Sequence, residues 1–540
     1  MSELHQQSAA DVLAQLRDGS LTPSVLLSHT LARIAELNPI YGAFASLSPQ
    51  SAQARAAFLE AQDHQAQALP ATQAASTTRV SPRTQTLPPA QALWGLPIAD
   101  KDLSDRAGMP TRYGSRLFSP EHGGQELIPH VNSDIAQQID DAGGISVGKT
   151  STPEFGLPAY TEPLAGPIAK NPWDITRTAG GSSGGAAVAV ASGMLHCAPG
   201  SDGGGSIRIP AAACGLVGLK PTRGLIAAAG GVNSLGGLVT AGPIARSVED
   251  AAVLLEGLIS REASGQASYH YSLRHPAQPY GSYLQAVRRA TSSGEVPGQR
   301  RPIRLAVSMW SGWDGFYDIS PEKPAVDALD AAVTMLTAAL EDAGYPVDIS
   351  QPLWEPDPSY APMFRTLWMA AAAAILVDEP DKMALLEPLT SWLMHQGRQL
   401  PARQLVQALN TAGQFERRMV HRLSQVDAVI MPALGMVPPR LGHFDTEDGE
   451  RNFEQQCRFT PYTSAWNASG LPAITLPTLW TPATETAVAG MPMGVQLVGR
   501  PGSETTLLAL ACLLEQRAGG PLNWPPSPIT GTTADTRASA

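Results

Sequence analysis

Cysteine is scarce in this sequence. Four residues, Cys197, Cys214, Cys457 and Cys512, are spread over 540 positions. Their spacing matches neither a zinc site nor a disulfide framework, and no cluster of His, Cys and Asp residues has the spacing of a metal site. We therefore expect reduced, buried thiols in an intracellular protein that uses no metal and no organic cofactor.

Long apolar runs and basic tracts are also missing. No apolar stretch reaches membrane-spanning length, and residues 1–20 lack the basic segment and apolar core of a secretory signal. A net charge of −11 disfavours binding to nucleic acid or to an anionic membrane surface. With 43% hydrophobic and 16% charged residues, the composition indicates a cytoplasmic globular protein with an ample core.

Glycine, by contrast, is abundant and locally clustered. Two serine-bearing clusters, GGSSGG (Gly180–Gly185) and DGGGS (Asp202–Ser206), flank the apolar run AAVAVASGML, which predicts a buried helix. Glycine lets the backbone approach a ligand closely, and N–H groups at the start of a helix bind anions. A flexible linker is disfavoured because linkers do not flank an apolar helix. The pattern predicts that two serine hydroxyls and several N–H donors converge on one site.

The two clusters belong to a longer pattern. GGSSGG and the apolar run are followed by GSDGGGSIRIPA (Gly200–Ala211) and GLKPT (Gly218–Thr222). This order of motifs resembles the signature of the amidase signature family. The likeness covers most of the chain, least in its middle third, and includes four further segments: GLPIADKDLSDRAGMPT (Gly95–Thr111), GKTSTPEFG (Gly148–Gly156), GPIARSVEDAA (Gly242–Ala252) and PMGVQLVGRPGSE (Pro492–Glu504).

The resemblance implies an α/β fold in which a large mixed, mostly buried β-sheet is sandwiched between helices. The alternation of predicted strands and helices agrees with that class. We expect one domain over residues 1–540 with a core of about 22–517. We also predict three less ordered parts: a mobile segment at about 65–91, a peripheral excursion at about 260–301 and a loose tail from Ala518.

Periodicity and capping residues predict individual elements. Helices are predicted from Thr22-Pro23 to near Asn38-Pro39, and over 134–142, 247–258, 321–343 and most of 358–424. Strands are predicted over 96–103, 145–147, 303–307, 345–349, 428–431, 473–476 and 494–498.

By resemblance the activity is hydrolysis of a carboxylic amide, and esters are left open as further substrates. Ser206 is the nucleophile that forms an acyl-enzyme, Ser182 is a bridging serine, and Lys101 is the base. Such a lysine must be neutral, so burial must lower its pKa. The family has a cis peptide bond before the bridging serine, which here is Gly181–Ser182.

The resemblance also implies supporting residues. The N–H groups of Gly203, Gly204, Gly205 and Ser206 would form the oxyanion hole, and Ser183, Asp202 and Arg208 would hold the two glycine loops together. Two positions depart from the usual pattern. Gly203 stands where the family often has a larger residue. Asp100 precedes the lysine where an apolar residue is more usual, and strand alternation should turn it to the opposite face.

A nucleophile-elbow hydrolase is the first alternative. Gly180 to Gly184 fits G-x-S-x-G with Ser182 as nucleophile. The preceding residues NPWDITRTAG are not a convincing strand, although later histidines could complete a Ser-His-Asp triad.

A nucleotide-binding P-loop is the second alternative. Gly143 to Thr150 (GGISVGKT) satisfies G-x-x-x-x-G-K-[ST]. The context argues against it, because apolar Ile145 and Val147 lie inside the supposed loop and no long helix follows.

The third alternative is the A-type subunit of a glutamine-using transamidosome, which belongs to the same family and holds the glutamine amine with an acidic residue. The residues before Gly470, FTPYTSAWNAS, contain no acidic side chain. We therefore expect a stand-alone bacterial-type amidase acting on a small-molecule amide, with no nucleic-acid or membrane partner; a homodimer is left open. The physiological amide is not specified, and Trp466, Tyr462 and Met431 are candidates for an apolar pocket wall.

Overall fold

The computed structural model of the chain describes residues 3–68, 91–226, 232–259, 278–279, 281–298, 302–352, 354–520 and 524–526. Over these residues the chain forms sixteen α-helices: α1 (Ala9–Asp18), α2 (Pro23–Tyr41), α3 (Pro49–Ala68), α4 (Asp134–Asp141), α5 (Gly184–Ala191), α6 (Arg208–Ala213), α7 (Val248–Leu258), α8 (Ser282–Ser293), α9 (Lys323–Asp342), α10 (Tyr360–Ala373), α11 (Pro380–Met383), α12 (Pro388–Arg398), α13 (Ala402–Leu423), α14 (Gly449–Phe459), α15 (Ala465–Ala468) and α16 (Glu504–Arg517).

The same described ranges contain thirteen strands: β1 (Phe44–Leu47), β2 (Pro97–Lys101), β3 (Ile145–Thr150), β4 (Lys170–Asn171), β5 (Asp174–Thr178), β6 (Cys197–Asp202), β7 (Val217–Lys220), β8 (Thr240–Ala245), β9 (Ile303–Val307), β10 (Val347–Ser350), β11 (Ala428–Pro432), β12 (Ala473–Trp480) and β13 (Pro492–Val498). Eight of them form a sheet in the order β10-β9-β11-β13-β12-β7-β8-β6. Its β10-β9-β11 portion is parallel and the remaining pairs are antiparallel. This is the mixed sheet that was predicted.

Helices cover both faces of this sheet because successive strand residues point to opposite sides. In β11, Ile430 packs in one apolar cluster, with α1, α7, α8, α9 and α16. Its neighbour Met431 packs in the other, with α10, α12, α13 and α15. Strands that are buried on both faces contain near-continuous apolar residues, which is why periodicity alone located β9, β11, β12 and β13 within a few residues.

A smaller sheet, in the order β1-β3-β2, carries the lysine segment. Its strand β2 lies alongside β6 at the edge of the large sheet. Helices α2, α3 and α5 pack on the smaller sheet in a third apolar cluster. The predicted cap of α2 is confirmed, because Thr22 Oγ1 accepts the N–H of Val25 at 3.3 Å. In α7, Ser247 Oγ accepts the N–H of Asp250 at 3.1 Å.

Some elements were not predicted. Strands β6 (CAPGSD) and β8 (TAGPIA) contain glycine, proline and few β-branched residues, so their local propensity is low. They form because they pair with each other from Cys197↔Ala245 to Asp202↔Thr240. Helix α1 lies before residue 22, where the predicted core begins, yet its side chains Val12, Leu13 and Leu16 are buried.

The predicted peripheral excursion falls largely on 260–277, 280 and 299–301, outside the described residues. Its described part contains α8, which buries Tyr283, Ala286, Val287 and Ala290 against α7 and α16. Of the predicted mobile segment, residues 65–68 complete α3 and residues 69–90 lie outside the described part.

The predicted loose tail also has one packed residue, because the Trp524 ring lies 3.5 Å from the Arg246 guanidinium carbon. Residues 521–523 and 527–540 lie outside the described part. Among the helices that the structure describes, none combines the length and apolar character needed to cross a membrane.

Candidate active site

Lys101 is the last residue of β2, all five of whose residues are buried. Its side chain is 3% exposed. Nζ donates hydrogen bonds to Ser182 Oγ at 2.8 Å, Ser201 Oγ at 3.0 Å and the Ser201 carbonyl oxygen at 3.3 Å. Burial lowers the pKa of Lys101 to about 7, while the nearby Asp202 carboxylate acts in the opposite direction. A large fraction of this amine is therefore neutral near neutral pH.

Asp100 points away from this amine, as strand alternation predicts. Arg106 donates to its carboxylate through Nε at 2.6 Å and through Nη2 at 3.1 Å, and Ser146 Oγ donates at 2.7 Å. The carboxylate is thus occupied on the far face of β2. Its departure from the family pattern does not place a negative charge beside the lysine.

Ser182 lies in a tight loop between β5 and α5, after a cis Gly181–Ser182 peptide bond. The next residue, Ser183, donates its N–H to the Ser206 carbonyl oxygen at 3.1 Å. This bond joins the two glycine clusters that the sequence predicted to converge. Close approach also explains a glycine here: a Cβ on Gly185 would lie 2.3 Å from the Ser151 nitrogen.

Ser206 lies in the turn that connects β6 to α6 and is 6% exposed. It lines a pocket together with Gly204 and Ile209. The structure thus places Lys101, Ser182 and Ser206 in one buried region, and of the three Ser206 lines the pocket.

Asp202 and Arg208 form a buried ion pair that holds this turn. Arg208 Nε lies 2.9 Å from Asp202 Oδ2, and Nη2 lies 3.0 Å from Oδ1. Burial alone would raise the pKa of Asp202, but the adjacent guanidinium and its hydrogen bonds lower it to about 2. Arg208 also donates to Asn467 Oδ1, the Thr463 carbonyl oxygen and Gln496 Oε1. Each charge in this pair therefore has partners.

The oxyanion prediction needs correction at one residue. The N–H of Gly205 donates to Asp202 Oδ1 at 2.7 Å, so it is used within the turn itself. The remaining candidates are the N–H groups of Gly203, Gly204 and Ser206. Gly203, the second departure from the family pattern, faces Trp368: a Cβ there would lie 3.4 Å from Trp368 Cζ3. Val239 Cγ2, 3.3 Å from the same Cβ position, and the Trp368 ring border the space that a larger side chain would enter.

Sequence reasoning missed three residues of this region. Ser201 binds the lysine amine through both its hydroxyl and its carbonyl group. Asn467 Nδ2 donates to Asp202 Oδ1 at 2.8 Å, and Thr463 Oγ1 donates to the Gly204 carbonyl oxygen at 2.6 Å. Ser201 is part of the quoted GSD motif, which was a usable signal. Asn467 and Thr463 are distant from both glycine clusters in the chain, so no local pattern indicated them.

A second buried lysine lies close to the ion pair. Lys220, at the end of β7, donates to the Pro221 carbonyl oxygen at 2.9 Å. Burial lowers its pKa to about 7, Arg208 acts in the same direction, and Asp202 opposes both. Lys220 belongs to the GLKPT motif but received no role from the sequence.

The P-loop alternative is wrong. Residues Ile145–Thr150 are the buried strand β3, not a phosphate-binding loop. Lys149 Nζ donates to Thr111 Oγ1 at 3.0 Å and to the Ser104 carbonyl oxygen, so its amine is bound inside the protein.

The nucleophile-elbow alternative fits one feature better than expected. Strand β5 ends shortly before Ser182, so a strand does precede the serine. However, β5 belongs to a two-stranded sheet with β4 and not to the large sheet. Among the side chains that the structure describes, no histidine is hydrogen-bonded to Ser182 or Ser206, whereas Lys101 is bonded to Ser182.

The pocket at Ser206 has a largely aromatic wall. Phe364 and Trp368 of α10 stack with ring centroids 5.4 Å apart, and Trp313 meets Phe364 edge-on at 5.6 Å and Phe453 at 5.8 Å. The three residues proposed from the sequence lie elsewhere. Met431, Tyr462 and Trp466 are buried in the apolar core behind this wall, where Trp466 Nε1 lies 3.3 Å from Met431 Sδ.

Comparison with known proteins identifies the family. The family model described as Amidase matches residues 25–508. The chain belongs to the amidase signature family. Membership in this family, together with structural neighbours that are hydrolases, supports the general class predicted from the motifs, an amide hydrolase. Clusters of three or more His, Cys, Asp or Glu residues that could hold a metal ion do not occur in the described ranges; the expected lack of a metal or cofactor stays a prediction.

Relatives resemble this amidase over nearly their whole length. A Synechocystis sp. protein provisionally named an amidase is 31% identical over 523 residues, covering 96% of this chain and 90% of the relative. The Mycobacterium tuberculosis protein provisionally named amidase AmiB2 is 32% identical over 517 residues, covering 95% and 96%. The glutamyl-tRNA(Gln) amidotransferase of Picosynechococcus sp. has an A-type subunit that is 30% identical over 514 residues, covering 91% and 94%.

Solved structures give the same family fold. The 6-aminohexanoate cyclic dimer hydrolase superposes with a TM-score of 0.78 at 25% identity, covering 97% of this chain and 99% of the other. A bacterial aryl acylamidase of the amidase signature family gives a TM-score of 0.75 at 20% identity, covering 96% and 97%. The second likeness bears on the fold alone.

Proposed function

We propose that this amidase hydrolyses a linear carboxamide through an acyl-enzyme on Ser206, with Ser182 relaying protons to Lys101. The observation that carries the proposal is the 2.8 Å contact between Lys101 Nζ and Ser182 Oγ in a buried setting. A neutral lysine has two N–H hydrogens and one lone pair. If both hydrogens bind Ser201, the lone pair faces Ser182 Oγ and can accept its proton.

Acylation then needs two proton shifts. Lys101 takes the proton of Ser182, Ser182 takes that of Ser206, and the Ser206 oxygen bonds to the carbonyl carbon. The carbonyl oxygen becomes an oxyanion, for which the N–H groups of Gly203, Gly204 and Ser206 are the candidate donors. The carbon–nitrogen bond breaks as the leaving nitrogen receives a proton from Ser182, which the Lys101 ammonium replaces.

Deacylation repeats these steps with water. A water molecule gives its proton to the same relay and attacks the ester carbon. The bond to Ser206 breaks, the serine regains its proton, and a carboxylic acid leaves. Esters have a better leaving group than amides, so the same site should also accept them.

Substitution of the base tests the proposal. Lys101→Ala should reduce kcat/KM on an amide by about 10³–10⁴-fold. The loss should be smaller on the matching ester, whose leaving group needs less protonation. Ser182→Ala should show the same pattern in milder form because water can partly replace its hydroxyl. The exposed Lys323→Ala is the matched control and should retain activity.

Covalent labelling tests the nucleophile separately. A serine-directed fluorophosphonate should modify Ser206, as located by peptide mapping. Modification confined to Ser182 would instead support the nucleophile elbow. So would near wild-type amide turnover in Lys101→Ala together with complete loss in a single His→Ala variant.

A glutamine-using A-type subunit is the second candidate, favoured by the 30% identity to the Picosynechococcus protein. Residues 459–469, before Gly470, offer no acidic side chain to hold an α-ammonium group. Free glutamine should therefore be hydrolysed far more slowly than an uncharged amide, as ammonia release would measure. Comparable rates would favour this second candidate.

A further inference from the structure

The pocket beside Ser206 combines an aromatic wall with polar groups that are already satisfied inside the protein. The wall is in contact with the reacting loop: a Cβ on Gly204 would lie only 3.4 Å from Phe364 Cζ. A substrate carbonyl at Ser206 therefore has the Phe364 and Trp368 rings as its immediate neighbours.

The polar side chains of the pocket bind other protein groups. Ser464 Oγ accepts from Trp313 Nε1 at 3.2 Å and from Tyr360 Oη at 2.7 Å. Gln456 Oε1 accepts the Ala159 N–H at 2.8 Å, and Nε2 donates to Asn452 Oδ1 at 2.5 Å. A charged substrate group would lose its hydrogen bonds to water on entering the pocket. To replace them it would have to break these hydrogen bonds between protein groups.

Charged residues near the wall are also paired. Arg365 stacks on Phe453, with its guanidinium carbon 5.1 Å from the ring centroid, and forms a two-point ion pair with Glu450. Neither partner lines the pocket, and among the described residues that line it there is neither a carboxylate nor a cationic side chain. Cys457 is there as well, but burial raises the pKa of its thiol well above the usual value, so the thiol stays neutral.

We infer that the pocket selects amides whose acyl group is uncharged and apolar, and rejects amides whose acyl group carries an ammonium or a carboxylate. This inference rests on the proposed hydrolysis at Ser206. The physical reason is that an ion entering the pocket loses its hydration without gaining a counter-charge, whereas an aryl or alkyl group gains from leaving water.

Three amides test this selectivity. Hydrocinnamamide supplies an aryl group, heptanamide an alkyl chain, and ε-aminocaproamide the same chain length with an ammonium in place of the terminal methyl. Ammonia release should give kcat/KM values for the two uncharged amides that exceed that of the ammonium amide by about 100-fold. Values for all three within about threefold of one another would overturn the inference.

A variant with an introduced charge makes the test sharper. Leu157 lines the pocket and is half-buried. Leu157→Asp should raise the ratio of kcat/KM for ε-aminocaproamide to that for heptanamide by about tenfold, since the ammonium gains a counter-charge. Leu164→Asp is the matched control: Leu164 lies in the same segment but is 55% exposed and does not line the pocket. Its ratio should equal that of the wild type, and an unchanged ratio in Leu157→Asp would count against the inference.

Fluorophosphonate labelling distinguishes a failure of the selectivity from a failure of the proposed reaction at Ser206. Labelling of Ser206 with comparable turnover of all three amides overturns the selectivity and leaves the proposed reaction standing. Absence of both labelling and amide turnover overturns the proposed reaction and the selectivity together.

Discussion

The amine of Lys101 is held by two groups of Ser201 and by Ser182, inside a region from which water is largely excluded. Because all three partners are oxygen atoms that can accept a hydrogen bond, the geometry suits a protonated amine as well as a neutral one. Protonation of this single residue then decides whether the relay can start.

A pH profile measures that protonation. Burial lowers the pKa of Lys101 to about 7, so the base is charged below this pH and neutral above it. The kcat/KM for a neutral amide should therefore rise with pH through an apparent pKa near 7 and level off at higher pH. The measurement is initial rates across the neutral range with a substrate that does not itself titrate.

Lys220 provides the control for this assignment, since its pKa is also lowered to about 7. In the proposed scheme Lys220 transfers no proton, so Lys220→Met should retain the rising profile even if its maximum rate changes. A profile that loses its midpoint in Lys220→Met would assign the titration to Lys220 instead. A rate that falls as pH rises would contradict the role of Lys101 as a base.

At the scale of elements, the turn between β6 and α6 brings the nucleophile to the pocket. Asp202 ends β6 and accepts the N–H groups of Gly205 and Ile207, while Arg208 at the start of α6 binds the same carboxylate. The strand, the turn and the helix are thereby linked through one side chain. Asn467 and Thr463, from the segment around α15, bind the turn from the other side.

Removal of the Asp202 charge should loosen this turn. Asp202→Asn leaves the Arg208 guanidinium buried without its counter-charge, and we expect the free energy of unfolding to fall by about 3–5 kcal/mol in urea titrations. In the exposed Lys323–Asp327 pair, Asp327→Asn should change it by less than about 1 kcal/mol. Equal effects of the two substitutions would mean that the buried pair does not stabilise the turn.

The pH dependence of stability has a defined sign here. The pKa of Asp202 is lowered to about 2 in the folded protein, below an ordinary value of about 4. Its contribution is therefore fully present above about pH 4 and is lost as the pH falls toward about 2. Acid titration should therefore reduce the stability of the wild type more steeply than that of Asp202→Asn, whose remaining acid dependence comes from other carboxylates with a lowered pKa, such as Asp174 and Asp357.

At the scale of the whole molecule, the first and last helices join the same layer. Helix α1 packs against α7, where the Ala10 N–H donates to Asp250 Oδ1 at 3.2 Å. Helix α7 is in turn bound to α16, since the Val248 N–H donates to Glu515 Oε1 at 2.9 Å. The first helix, a middle helix and the last helix therefore cover one face of the sheet together.

A core substitution in α1 tests whether that helix belongs to the folded unit. Leu13 is 1% exposed within the large apolar cluster. Leu13→Ala should reduce the free energy of unfolding by about 2–5 kcal/mol because it removes buried methyl groups and leaves a cavity. Val25, 53% exposed on α2, is the control, and Val25→Ala should change stability by about 0.5 kcal/mol or less. Equal effects would place α1 outside the cooperative core.

The sequence alone determined the features that depend on neighbouring residues. The two glycine clusters specify loops in which the backbones approach closely, and the cap at Thr22 begins its helix as expected. The apolar strands β9 and β11 were located because burial on both faces leaves a continuous pattern. Lys101, Ser182 and Ser206 were identified through long motifs, and the structure brings them to one region.

Only the tertiary structure decided the features that depend on distant residues. The N–H of Gly205 turns to Asp202 instead of the pocket. The pocket wall comes from Trp313, α10 and α14 instead of Met431, Tyr462 and Trp466. Strands β6 and β8 exist because they pair across the sheet, against their local propensity. These features depend on contacts between segments that are far apart in the chain. Periodicity, capping and motif spacing depend on neighbouring residues, so they do not predict such contacts.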